Sequence, residues 1–145
     1  MTEIKEIPLL IKNAAKLHGH LGPFLVIGAR MGEAAKSYLD VDRNSGRRLQ
    51  ASIKTPLSTP FSCVIDGIQA STTCTVGNQR LKIADSAKEI KASFTLQSTK
   101  KTMTILVNSK VVEDLIKEMS KGANPELLAL KVTRMQEQQL FVVEE

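Results

Sequence analysis

The hydrophobic positions of this chain change period several times, and each change marks an expected element. Between Glu3 and Leu17, apolar residues fall at Ile4, Ile7, Leu10, Ile11, Ala14 and Leu17, the spacing of three and four that predicts an amphipathic helix. Pro8 is best tolerated in a first turn, so regular helix is expected to begin near Ile7. Gly22-Pro23 then reads as the start of a second helix reaching about Leu39, with proline where no amide donor is needed. Gly28, Gly32 and Ala35 lie near one side of it. An interior glycine costs about 1 kcal/mol relative to alanine, so this helix is expected at the centre of the domain, or of a dimer, with another backbone close by.

Asp40 to Arg48 is polar and predicts a surface loop. Leu49, Ala51 and Ile53 then alternate with polar residues, the period of a half-buried strand, which Pro56 and Pro60 end. Ser62 is placed to cap a short helix from Cys63 to about Ser71, with Val64, Ile65 and Ile68 on its apolar side. A polar loop, Thr72 to Asn78, leads to strands over Leu81–Ala84, Ile90–Leu96 and Met103–Val107. The last two alternate strictly and are joined by a turn at Gln97 to Lys101, which predicts an antiparallel hairpin. Val111 to Met119 reads as a helix stopped by Gly122, Asn124-Pro125-Glu126 opens another running to about Met135, and Leu140 to Val143 reads as a final strand. The expected fold is α+β, a single domain of helices packed on one largely antiparallel mixed sheet.

Composition narrows the picture. With 3% aromatic residues among 145, the core has to be aliphatic. The net charge of +5 suggests nucleic acid, but the basic residues are scattered, with only pairs at Arg47-Arg48 and Lys100-Lys101 and no interleaved aromatics to stack on bases. Nucleic-acid binding is therefore not expected. No apolar run approaches the roughly 20 residues of a membrane span, and the acidic, amphipathic start does not resemble a signal peptide, so a cytosolic location and no membrane partner are expected. Two cysteines make no disulfide framework, and in a reducing compartment free thiols or metal ligands are expected, a disulfide being the alternative for a hyperthermophile source.

Residues suited to metal or acid–base chemistry fall into two short stretches. Both histidines, His18 and His20, lie in the first. One residue apart in a turn, they can aim at a common metal, although such a pair serves equally well as helix caps. The second stretch holds Cys63, Asp66 and Gln69, three apart on one helical face, and then Cys74. Both thiols are also candidates for ordinary core positions. Asp66 could orient a histidine, ligate, or accept a proton. The interval between the cysteines is unlike the knuckle of a closed zinc site. A set of His18, His20 and one cysteine would leave an open position, and the start of the second helix next to it would favour an anion.

Two motifs, His18-Gly19-His20-Leu21-Gly22-Pro23 continuing to Gly28 and Arg30, and Cys63-Val64-Ile65-Asp66-Gly67-Ile68-Gln69 followed by Cys74-Thr75-Val76-Gly77-Asn78, resemble the FmdE-like family of formylmethanofuran dehydrogenase proteins. The resemblance implies a homodimer with a cleft that can hold a divalent transition metal, zinc foremost, and a small-molecule ligand. It also implies a link to one-carbon metabolism or a molybdenum or tungsten dehydrogenase complex, as a small enzyme or an accessory protein of that complex. On this basis His18, His20, Cys63 and Cys74 are the candidate ligands. Asp66 and Cys63 are the candidate catalytic groups, and Arg30, Thr75 and Asn78 the candidate substrate contacts. The alternative is a non-catalytic ligand-binding or assembly module in which the histidines and cysteines are structural. Two departures stand out: Gly22 occupies the position where many members of the family carry cysteine, and, as no cysteine follows Cys74, the zinc-finger extension of some members is not expected.

Overall fold

The computed structural model describes residues 8–41 and 49–145. Most of the expected loop after Asp40, and the part of the first helical pattern before Pro8, lie outside these residues. Pro8 stands at the N-cap of helix α1 (Leu9–His18), which buries Ile11 and Ala14 but leaves Leu17, assigned to its apolar face by spacing, 59% exposed. Helix α2 (Pro23–Tyr38) begins at its proline, with Gly22 as N-cap in extended conformation. Nearly every residue from Pro23 to Ala29 is fully buried, as are Met31, Gly32 and Ala35.

Strand β1 (Leu49–Thr55) alternates buried and exposed residues along its whole length. It is followed by helix α3 (Cys63–Thr72) and strands β2 (Leu81–Asp85), β3 (Lys91–Leu96) and β4 (Lys101–Val107). Helices α4 (Ser109–Ser120), α5 (Pro125–Arg134) and the short α6 (Glu137–Leu140) precede strand β5 (Phe141–Glu144). Ser62 does not cap α3 as expected: it sits in helical conformation without a side-chain cap bond. The amides of Cys63 and Val64 instead donate to the carbonyls of Pro60 and Phe61, so a preceding backbone turn satisfies the first donors of the helix. Asn124 does cap α5, accepting from the amides of Glu126 and Leu127.

The strand order is β2-β1-β3-β4-β5. β1 and β2 are parallel, with Ala51 opposite Leu81; the other pairs are antiparallel, with Ile53 opposite Ala92, Phe94 opposite Met103, and Val107 opposite Phe141. The parallel pair follows from the connection, because parallel neighbours need a crossover and α3 supplies it. One face of the sheet presents Ala51, Ile53, Phe94, Leu96, Met103 and Ile105 to the core, and all of them join one hydrophobic cluster with α2, α3 and α5. The other face is polar, with hydroxyl pairs Ser93–Thr104 and Thr95–Thr102, each at 2.9 Å.

The glycines of α2 meet α3 inside the domain. A Cβ on Gly28 would collide with the carbonyl oxygen of Val64, and one on Gly67 with the carbonyl oxygen of Leu25. The two helices therefore cross backbone against backbone, each lending the other a glycine. This contact fixes α3 relative to the turn between α1 and α2, which is what the candidate site requires.

Candidate functional site: an imidazole held by Asp66

Helix α1 ends at His18 because Gly19 takes the left-handed conformation, φ 104°, with its amide donating to the Ala15 carbonyl. The chain then needs only Gly19 to Gly22 before α2 begins, so His18 and His20 are held in a tight reversal. Their ring centroids lie 4.7 Å apart with the planes tilted by 32°. The two imidazoles are thus neighbours, as their spacing in the sequence led one to expect.

Across from this turn, the first turn of α3 presents Asp66, where the positive end of the helix favours a carboxylate. Asp66 Oδ2 lies 2.6 Å from His18 Nδ1. A carboxylate accepts from the Nδ1–H, which in the neutral tautomer leaves the lone pair of the ring on Nε2. That Nε2 is buried and has no hydrogen-bond partner among the described residues. Leaving such an atom unsatisfied costs about 1 to 3 kcal/mol. The other oxygen of Asp66 accepts from Gln69 Nε2 at 3.2 Å.

Cys63, the first residue of α3, is 9% exposed and belongs to the hydrophobic cluster. Burial first, and then the charge of Asp66, push its thiol above the ordinary range, so it stands as a neutral thiol at physiological pH. Alone it is no activated nucleophile. A bound cation would reverse that, since thiolate is the ligating form.

Gly22 faces the same turn. A Cβ there would lie 3.7 Å from His20 Nε2, an ordinary contact, so a cysteine at this position would start its side chain beside the imidazole.

The remaining candidates are engaged elsewhere. Cys74 is fully buried, and its thiol donates to the Leu49 carbonyl at 3.2 Å. Thr75 and Asn78 bond to each other's backbone: the Thr75 amide donates to Asn78 Oδ1 and the Asn78 amide to Thr75 Oγ1, closing the loop before β2. Arg30 donates through one nitrogen to the Val132 carbonyl at 2.8 Å and to the Met135 carbonyl, clasping the end of α5. Burial pulls its pKa below the ordinary value, and Glu137 opposes that pull. Among the described residues, no group of three or more His, Cys, Asp and Glu side chains could hold a metal by itself. Gln69, which bonds Asp66, is the neighbour that motif reading left without a role, although its position one turn after Asp66 was the available signal.

A cavity of about 1010 Å³ with a mixed lining opens elsewhere, its apolar part formed by Phe61, Ile90, Leu106, Val112, Ile116 and Val142 and its rest by residues such as Lys88, Glu113 and Lys117; none of the candidate residues lines it. No helix among the described residues is long and apolar enough to cross a membrane.

The chain is similar to a protein of Archaeoglobus fulgidus named "Probable S-adenosyl-L-methionine-binding protein", with 33% identity over 79 residues, 54% of this chain. It spans only 21% of that protein's length. The family described as "FmdE, Molybdenum formylmethanofuran dehydrogenase operon" matches more of the chain, residues 17–143, taking in the His18 turn, α3 and the sheet except for the last residue of β5. By that match, the chain belongs to the FmdE family.

Proposed function

We propose that this chain is a metal-binding protein associated with a formylmethanofuran dehydrogenase, working in the cytosol as a homodimer or docked on the molybdenum or tungsten enzyme. The observation that carries the metal reading is the buried, unpartnered Nε2 of His18, opposite an Nδ1 held by Asp66. An imidazole whose second nitrogen bonds a carboxylate is the usual form of a histidine ligand. His18 and His20 would hold the metal, no third His, Cys, Asp or Glu joining them as a ligand set among the described residues, and zinc suits imidazole donors. When bound, the metal would supply a Lewis acid with positions open to substrate or water. The chain's own part is to orient the imidazoles, to keep Cys63 dry and to hold a carboxylate behind His18. Whether that makes it an enzyme or an accessory protein depends on what fills the open positions.

A second reading is favoured by the Archaeoglobus relative, whose name points to an adenosyl sulfonium ligand. In that case the domain is a binding module without chemistry.

Elemental analysis of untagged protein, with zinc and S-adenosylmethionine titrations by calorimetry, separates the two. The metal reading expects about one zinc per chain, lost in His18→Ala and His20→Ala. Zinc-free protein that binds the sulfonium compound would favour the module. Recovery in a stable complex with a pterin-containing dehydrogenase would support the accessory role.

A further inference from the structure

We propose that Gln69 is a positioning residue of this site, acting on His18 through Asp66. The proposal rests on the reading of His18 as a ligand, but its geometry stands independently. Asp66 has two carboxylate oxygens, and both are committed: Oδ2 to His18 Nδ1 at 2.6 Å and Oδ1 to Gln69 Nε2 at 3.2 Å. With Oδ2 on the imidazole and Oδ1 on the amide, Asp66 is turned toward His18, the place of a carboxylate that orients a histidine ligand.

The Asp66 side chain is 36% exposed, so without Gln69 its carboxylate is free to turn toward water. Gln69 sits one helical turn after Asp66 and reaches it along the face of α3. The helix itself is immobilised by the crossing at Gly67, so the amide is presented from a fixed base. The choice of residue is chemically apt. A glutamine donates without adding charge, so it holds the carboxylate's direction and leaves its negative charge for His18. A lysine or arginine in its place would neutralise that charge and weaken the hold on Nδ1–H.

Gln69 thereby sets the tautomer of His18. With the carboxylate aimed at Nδ1, the proton stays there and Nε2 remains the lone-pair nitrogen. Once the carboxylate is free to rotate, the ring also samples the form with the proton on Nε2, which cannot ligate through that atom.

The test uses Gln69→Met, which keeps the length and packing of the side chain but has no donor, beside Gln69→Ala. Nitrogen NMR of the metal-free protein at mildly alkaline pH reads the His18 tautomer directly, and zinc titration reads the consequence. The expected result is a single Nδ1–H form in the wild type, a mixture in both variants, and zinc affinity lowered about tenfold in both, with unfolding midpoints unchanged. Wild-type tautomer in Gln69→Met would overturn the proposal, since a residue that merely packs is replaced by methionine. If the wild type takes up no zinc yet Gln69→Met still mixes the tautomers, the metal reading falls and the positioning role stands.

Discussion

Helix α3 carries polar side chains at both ends, and the fold treats the two ends differently. At the N-terminal end, Asp66 reaches across 48 residues of sequence to His18, and the imidazole it holds has a buried nitrogen left over. At the C-terminal end, the Ser71 and Thr72 hydroxyls donate to carbonyls of their own helix, Cys74 donates to the backbone of β1, and Asn78 closes the loop by accepting from Thr75 and donating to the Thr73 carbonyl. Both ends look equally rich in chemistry as sequence. They differ in that the second is complete when the chain has folded, whereas the first is not. A polar group whose capacity is used up by backbone holds structure; one that is oriented and buried with a nitrogen unpaired among the described residues is the place to test for a ligand.

The widest break in this contrast should come from Gly67→Ala, because the platform for both ends is the α2–α3 crossing. The added methyl strikes the Leu25 carbonyl, and the expected loss is about 3 kcal/mol or more, read as a lower urea midpoint. Function and fold should fail together in this variant. Asp66→Asn should separate them, lowering zinc affinity about 10- to 100-fold while the unfolding midpoint shifts little. Asn78→Ala is its mirror image. It removes the loop-closing bonds at a cost of about 1 kcal/mol and should leave the zinc isotherm unchanged.

A smaller effect concerns pH. Burial raises the Cys74 thiol above its ordinary value, outweighing the opposing hydrogen bond from Thr72 and the charge of Arg80. The folded form therefore holds the proton more tightly than the unfolded chain does. The associated stability is complete below the unfolded thiol pKa of about 8.5 and is lost as pH rises through the higher folded value. Cys63 is raised in the same direction. Cys74→Ser keeps a donor for Leu49 and should flatten part of the alkaline decline in thermal unfolding, again without touching zinc affinity.

The element pattern was largely legible because each period is strict where it matters. Leu49 to Ile53 and Phe94 to Leu96 alternate without interruption, and the Gly22-Pro23 and Asn124-Pro125 starts carry their own local signal. The exposure of Leu17 was hidden, since spacing places a residue on a face but does not say how far the covering element extends. The parallel pairing of β1 with β2 was hidden too, because it depends on where α3 lands. At the site, the two motifs held His18, His20 and Asp66, and the fold sets these three side chains side by side. The sequence could not distinguish Cys63 from Cys74, or Asp66 from Arg30, because these differ only in what the fold brings against them: Arg30 meets the open carbonyls of α5, Asp66 meets an imidazole.

The metal reading stands or falls on His18, whose Nδ1 is held by Asp66 and whose Nε2 would meet a metal alongside His20. Zinc K-edge X-ray absorption on untagged, zinc-loaded protein reads those bonds themselves. The prediction is imidazole scattering with zinc–nitrogen distances near 2.0 Å that weakens in His18→Ala and is unchanged in Cys74→Ser. A spectrum without imidazole scattering, or one that is unchanged in His18→Ala, would refute it.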